Sequence, residues 1–203
     1  MSKSVQVFFS DPILEDLRLK VFQKFGPILS PEVPHHSQYF SQLTREIIGQ
    51  QLSGKVANVI DARVRALIGK NFTPQALVAA PHEALRAAGL SNAKANYIQN
   101  IAEAWESGRI VPEKLAELSD EEVITKLSSI KGVGRWTAEM FLMFTLGRDD
   151  VFAVGDYGLR KAIEKAYKLP VKAPAAQVLE VSNQWKPHRS LASRILWKSL
   201  ELD

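Results

Sequence analysis

The chain has 203 residues, of which 46% are hydrophobic and 24% charged, with a formal net charge of +4 at pH 7. That length can bury one substantial core or two smaller lobes. The absence of cysteine excludes disulfides, thiolate zinc sites and iron–sulfur clusters. The mild positive charge permits a nucleic-acid partner but does not require one. No stretch is apolar enough for a signal peptide or a membrane span, so we expect an intracellular protein without a membrane partner.

Apolar residues recur at helical spacing along nearly the whole chain. Helices are predicted at 12–25, 38–50, 56–68, from 74 onwards, and at 81–88, 91–106, 120–128, 135–146, 157–168, 174–183 and 188–200. Ser119 and Glu122 fit a capping box at the start of helix 120–128. Only Val5–Phe9 alternates as a strand would. The sequence therefore predicts an all-α protein with about ten helices.

The stretch SIKGVGRWTA joins two of these helices through a short turn that contains Gly132 and Gly134. Glycine allows the backbone angles of such a turn, and the next helix begins with unpaired N–H groups that can bind a phosphate. The carbonyls of this turn point the other way and can hold Na⁺ or K⁺. The phosphate group is predicted to contact Lys131, Gly132, Val133, Gly134 and Thr137, and the cation the carbonyls of Ser128, Ile130 and Val133.

Simpler interpretations of this turn remain open. A pair of glycines also makes an ordinary corner between helices, and the Lys131 side chain either contacts phosphate or is merely solvated. The full string, followed by the isolated Asp156 between Gly155 and Tyr157, favours the phosphate site.

Four segments together resemble the helix-hairpin-helix and Gly/Pro-Asp (HhH-GPD) superfamily of DNA glycosylases. They are IIGQQLSGKVA at 47–57, SSIKGVGRWTAEM at 128–140, VFAVGDYGLRKA at 151–162 and QWKPHRSLASRILW at 184–197, of which the last resembles the 3-methyladenine DNA glycosylase II branch. The resemblance implies one unit, 1–203, with two helical lobes around a catalytic cleft. The expected lobes are 38–150, with the helix-hairpin-helix at 120–146, and 1–37 packed with 151–203.

The resemblance makes Asp156 the catalytic residue. Breaking an N-glycosidic bond builds positive charge on the sugar, and a fixed carboxylate stabilises that charge. Asp156 also precedes a predicted helix, so the alternative is a helix N-cap, and the two roles are compatible.

Trp136 occupies the position at which strand-cutting relatives carry a nucleophilic lysine. Tryptophan cannot form a Schiff base, so the sequence predicts a monofunctional enzyme that uses water. An indole face also attracts a cationic flipped base, although Trp136 could instead be a core aromatic. The expected base pocket consists of Trp136, Tyr39, Met140 and His188; for His188 a solvent-exposed position is equally consistent with the sequence.

Gln51 follows the Gly-Gln pair that precedes the intercalating residue in the family, and Leu52 lies beside it. We expect one of the two to fill the gap left by the flipped nucleotide; the alternative is that Gln51 caps its helix and Leu52 is core.

The resemblance therefore predicts a base excision repair enzyme that removes alkylated purines from double-stranded DNA. It is expected to act as a monomer without a required cofactor, in the cytoplasm of a prokaryote or the nucleus of a eukaryote. Two alternatives remain, namely a glycosylase for oxidised or mismatched bases and a non-catalytic DNA-binding module.

Overall fold

Twelve α-helices and one 3₁₀ turn form the regular structure of residues 7–69 and 72–202, the part of the chain that this computed structural model describes. Those residues contain no β-strand, so the all-α prediction is confirmed. The predicted strand Val5–Phe9 begins outside the described residues, and residues 7–9 are irregular. No described helix is both long and apolar enough to cross a lipid bilayer.

The chain divides into two compact units, Met1–Val33 with Leu142–Asp203, and Pro34–Phe141. The first unit contains α1 (Pro12–Phe25), α10 (Tyr157–Ala166), α11 (Ala175–Asn183) and α12 (Arg189–Ser199). The second contains the 3₁₀ turn His36–Gln38 and α2 (Tyr39–Gly49), α3 (Gly54–Ile68), α4 (Pro74–Ala79), α5 (His82–Ala87), α6 (Asn92–Glu106), α7 (Pro112–Leu115) and α8 (Asp120–Ser128). Helix α9 (Arg135–Phe144) contains the boundary between them.

Side-chain caps explain six of the twelve α-helix starts in the described residues. Thr73 and Ser91 accept hydrogen bonds from the amides of Ala76 and Lys94, three residues on, and Ser119 forms the predicted capping box. Several helix bounds differ from the prediction by one or two residues; for example, α3 begins at Gly54 rather than at 56, and α10 ends at Ala166 rather than at 168. Helix α9 ends at Phe144 rather than at 146, and the four-residue α7 was missed because so short a segment has no resolvable periodicity.

A buried carboxylate ties α1 into the core of the first unit. Asp11 caps α1 through the amides of Ile13 and Leu14, and its Oδ2 accepts hydrogen bonds from the Tyr167 hydroxyl and from Trp185 Nε1, the latter at 2.8 Å. Trp185, from the WKP segment, is fully buried there. Burial raises the pKa of Asp11, but these hydrogen bonds outweigh it and leave the pKa below its usual range.

Candidate functional site

The turn between α8 and α9 adopts a conformation that only glycine tolerates at its centre. Gly132 has φ = +103°, and a Cβ atom there would lie 2.2 Å from the Tyr97 ring. Asn100 Nδ2 donates to the Lys131 carbonyl over 2.9 Å, which anchors the turn to α6. Gly134 differs, because a Cβ there would meet nothing within 4 Å. The turn is therefore held by α6 at Gly132 and open at Gly134.

Several polar main-chain groups of this turn keep hydrogen-bonding capacity. Within the described residues, the amides of Gly132 and Gly134 donate no hydrogen bond, whereas the Val133 amide donates to the Ile130 carbonyl over 3.0 Å. The first amides of α9 point out of its N-terminal end. The turn can therefore donate to an anion through Gly132, Gly134 and α9, but not through the Val133 amide.

Two of the residues predicted to bind phosphate have buried side chains. Val133 is in the core, and the Thr137 hydroxyl accepts from Gln50 Nε2 over 2.9 Å. Neither side chain can reach a surface ligand, which limits Thr137 to its main-chain amide. The Lys131 side chain is exposed.

The residues predicted to form a base pocket in the second unit differ in exposure. Tyr39 and Met140 are buried, and the Tyr39 ring meets Phe141 edge-on at a centroid distance of 5.6 Å. Trp136 is 37% exposed near the start of α9. Its indole is thus accessible to a ligand, as a core aromatic would not be.

The loop after α2 presents Gln51 and Leu52 to solvent. Gln51 has φ = +58°, an uncommon conformation for a residue with a side chain, and Leu52 is 37% exposed. Leu52 is therefore not the core residue that the alternative interpretation required. Lys94 Nζ supports the loop by donating to the carbonyls of Ile48 and Gln50, at 2.8 and 2.6 Å. Nothing in the sequence marks Lys94 for this role.

Asp156 is both an N-cap and part of a polar pair. Its Oδ1 accepts from the Leu159 amide at 2.7 Å, so the helix-capping interpretation is confirmed. The same oxygen accepts from Trp197 Nε1 at 2.8 Å. A Cβ at position 158 would lie 3.1 Å from Trp197 Cδ1 and 3.2 Å from Asp156 Oδ1, so Gly158 permits this close approach.

Sequence reasoning assigned no role to three aromatic residues at or next to the Asp156–Trp197 pair, namely Trp197, Phe144 and Tyr157. Trp197 stacks on Phe144 with a centroid distance of 6.0 Å, and Phe144 is partly exposed. Trp197 closes the segment QWKPHRSLASRILW, and its place in that segment was the signal that the sequence offered. Tyr157, next to Asp156, is 80% exposed.

The start of α12 binds the loop that leads to Asp156 through an ion pair and hydrogen bonds. Arg189 Nε and Nη2 donate to the two carboxylate oxygens of Asp150 at 2.7 and 2.8 Å. Ser190 Oγ accepts from the Val151 amide at 3.0 Å and donates to the Arg148 carbonyl at 2.6 Å. Since Trp197 lies two turns further along α12, one helix holds both ends of the segment 148–156. His188 is the half-buried N-cap residue of that helix.

The predicted site residues thus fall into two sets. The first unit carries Asp156 and His188, with Trp197 and Phe144; the second carries the hairpin, Gln51, Leu52, Trp136, Tyr39 and Met140. No cluster of three or more His, Cys, Asp or Glu residues that could hold a metal ion occurs in the described ranges.

Comparison with known proteins identifies the family. The sequence model of the HhH-GPD superfamily of base excision DNA repair proteins matches residues 44–188. DNA-3-methyladenine glycosylase 1 of Schizosaccharomyces pombe is 39% identical over 166 residues, which are 80% of this chain and 73% of that protein.

Two solved structures resemble the chain over most of its length. S. pombe 3-methyladenine DNA glycosylase Mag1, in complex with abasic DNA, superposes with a TM-score of 0.78 at 36% identity, covering 93% of this chain and 91% of that one. DNA-3-methyladenine glycosidase from Bacillus halodurans superposes with a TM-score of 0.74 at 37% identity, covering 94% and 90%. The chain belongs to the HhH-GPD superfamily of base excision DNA repair proteins.

Proposed function

We propose that this member of the HhH-GPD superfamily is an alkylbase DNA glycosylase, which flips damaged purines out of double-stranded DNA and hydrolyses their N-glycosidic bonds. The observation that carries the proposal is the Asp156–Trp197 pair. The carboxylate of Asp156 accepts hydrogen bonds from the Trp197 indole N–H and from the first turn of α10, and these two bonds fix its orientation. The 39% identity to a protein named DNA-3-methyladenine glycosylase 1 supports this substrate class.

In the proposed mechanism, Asp156 stabilises the positive charge that develops on the sugar as the base departs. A preorganised carboxylate does this better than water, whose dipoles must reorganise. Alkylated purines already carry positive charge, so they leave without protonation. The exposed indole of Trp136 suits such a cation, because an aromatic face attracts it by stacking and cation–π interaction.

The enzyme is proposed to stop at the abasic strand. Trp136 has no amine, so the position that would hold a lyase nucleophile cannot form a Schiff base. Borohydride should therefore trap no covalent adduct with DNA. A trapped adduct would show that another lysine, such as Lys131, attacks the sugar.

The hairpin is proposed to bind one DNA phosphate through the amides of Gly132 and Gly134. A Na⁺ or K⁺ ion is proposed to bind to the carbonyls of Ser128, Ile130 and Val133 in the same turn. The Ser128 and Val133 carbonyls accept no hydrogen bond within the described residues, and the Ile130 carbonyl accepts only one, which leaves lone pairs for a cation. Such an ion would strengthen the local positive field at the phosphate. Replacing K⁺ by tetramethylammonium at constant ionic strength should weaken DNA binding.

The test is release of free base by the purified protein from duplexes that each contain one lesion. We expect 3-methyladenine or 7-methylguanine to be released, and the Asp156→Asn variant to be at least about 1,000-fold slower, equivalent to roughly 4 kcal/mol. Asparagine keeps the Oδ1 acceptor for Leu159 and Trp197, so the fold and DNA binding should survive. Binding without release by the unaltered protein would favour the non-catalytic alternative.

A further inference from the structure

One side of α6 contacts two loops of the second unit. Lys94, Tyr97 and Asn100 follow each other at steps of three residues, so their side chains lie along the same side of the helix. The Tyr97 ring lies against Gly132, and Asn100 Nδ2 donates to the Lys131 carbonyl over 2.9 Å. These two residues hold the hairpin turn, which is proposed to bind a DNA phosphate. Lys94 holds the other loop, which follows α2.

The Lys94 ammonium group binds the C-terminal end of α2. Its Nζ donates to the carbonyls of Ile48 and Gln50, at 2.8 and 2.6 Å. The last carbonyls of a helix have no amide partner within the helix and form its negative end, so a cation stabilises them. Burial lowers the pKa of Lys94, and no carboxylate within residues 7–69 and 72–202 pairs with it. The two carbonyls are therefore the groups that hold the ammonium in place.

Gln51 and Leu52 follow directly after this anchored end of α2. The φ of +58° at Gln51 is sparsely populated for a residue with a side chain, so the loop keeps it only where neighbouring groups hold it. Gln50 supplies a second anchor, because its Nε2 donates to Thr137 Oγ1, in the first turn of α9, over 2.9 Å. Both the carbonyl and the side chain of Gln50 are thus fixed immediately before the two exposed residues.

We propose that Lys94 is a positioning residue, which holds the Gln51–Leu52 loop in the conformation that fills the gap left by a flipped nucleotide. The inference rests on the proposed function and on gap filling by this loop. A loop that is fixed before DNA binds loses less conformational entropy when its side chain enters the base stack. Because α6 also holds the hairpin turn, the side chain enters at a set distance from the phosphate that the hairpin binds.

A lysine beside a DNA-binding loop can instead contact a phosphate directly. Lys94 is half-buried, and two of its three N–H groups already donate to main-chain carbonyls. A direct phosphate contact would contribute about one unit to the slope of log affinity against log salt concentration, whereas a positioning role would contribute nothing. The two roles therefore differ in a quantity that binding titrations measure.

The experiment measures single-turnover release of 7-methylguanine from a paired duplex and from a single strand. Lys94→Met keeps an unbranched apolar side chain and removes both hydrogen bonds to the loop. It should slow release from the duplex by about 10-fold or more, the usual effect of losing a charge-assisted hydrogen bond, and release from the single strand by less than about twofold. The salt dependence of binding to undamaged duplex should not change. Lys114→Met, at an exposed lysine of α7, is the matched control and should alter none of these quantities.

A combined variant shows whether Lys94 acts through the loop. Gln51→Gly with Leu52→Ala removes both side chains that could fill the gap, and glycine accepts the φ of +58°. Adding Lys94→Met to this loop variant should slow release from the duplex by less than about twofold, because the side chains that Lys94 positions are absent. A full further loss would overturn the inference, since Lys94 would then act elsewhere in the enzyme.

Each other outcome decides against the inference. Normal release from the duplex by Lys94→Met would show that the loop does not depend on this residue. An equal loss on both substrates would mean that Lys94 maintains the fold, and a lower salt slope would make it a phosphate contact. Normal release from the duplex by the loop variant would overturn gap filling and leave the proposed function standing. Release of no base by the unaltered protein would refute the proposed function and this inference with it.

Discussion

Trp197 donates its indole N–H to Asp156 Oδ1 over 2.8 Å, across 41 residues of sequence. The same oxygen caps α10, so its two donors fix the carboxylate from two directions. Gly158 leaves the space that this pairing requires. The orientation of the proposed catalytic group therefore depends on a residue of α12 and on the absence of a side chain in α10.

Replacing Trp197 by Phe should lower the rate of base release by about 10-fold or more, because one donor to a charged acceptor is lost, which is worth roughly 1.5–3 kcal/mol. The ring can still stack on Phe144, so stability should change little. Single-turnover kinetics and affinity for abasic DNA are the measurements. A loss confined to DNA affinity would contradict an orienting role for the indole N–H.

The hairpin glycines should respond differently to alanine. Gly134→Ala should fold normally, because its Cβ meets open space, and should weaken binding of damaged and undamaged DNA alike. Gly132→Ala should destabilise the protein by more than about 1 kcal/mol, since alanine is strained at positive φ and would collide with Tyr97. Thermal unfolding measures the loss of stability in Gly132→Ala. Titrations of DNA binding over a range of salt concentrations measure the loss of phosphate contacts in Gly134→Ala, because such contacts make the logarithm of the affinity fall linearly with the logarithm of the salt concentration. Normal binding by Gly134→Ala would exclude close approach of DNA at this point.

Gln51→Gly should slow base release from paired duplexes more than from single strands, where no gap needs filling. Glycine removes the side chain while accepting the φ of +58°, so the loop is preserved. Leu52→Ala is the companion variant. If only Leu52→Ala shows the duplex-specific loss, Leu52 is the wedge.

The Arg189–Asp150 ion pair should contribute to stability, because the two hydrogen bonds between these side chains are charge-assisted and partly buried. Arg189→Met should lower the free energy of unfolding by about 1–3 kcal/mol. Adding Asp150→Asn should recover part of this loss, because the unpaired carboxylate is then removed. Denaturant unfolding of the four proteins of the cycle measures the coupling, and simple additivity would show that the pair contributes nothing.

Asp11 should make folding sensitive to acid. Its pKa is lower in the folded protein than in the unfolded chain, so its stabilising effect is complete above the unfolded value of about 4 and is lost as the pH falls through the folded value. Asp11→Asn should therefore flatten the pH dependence of the unfolding free energy in that acidic range. An unchanged slope would assign acid sensitivity to other carboxylates.

Local features could be predicted from the sequence because their causes lie within a few residues. The Ser119 capping box and the N-cap role of Asp156 each depend on a side chain and an amide three positions apart. Helix periodicity and the family resemblance then sufficed for the all-α class and for the family.

Long-range pairings were decided only by the tertiary structure. The contacts of Trp197 with Asp156, of Lys94 with the end of α2 and of Gln50 with Thr137 join residues 41 or more positions apart. Which helix faces meet depends on the packing of the whole core, and many donors along the chain are chemically equivalent before it forms.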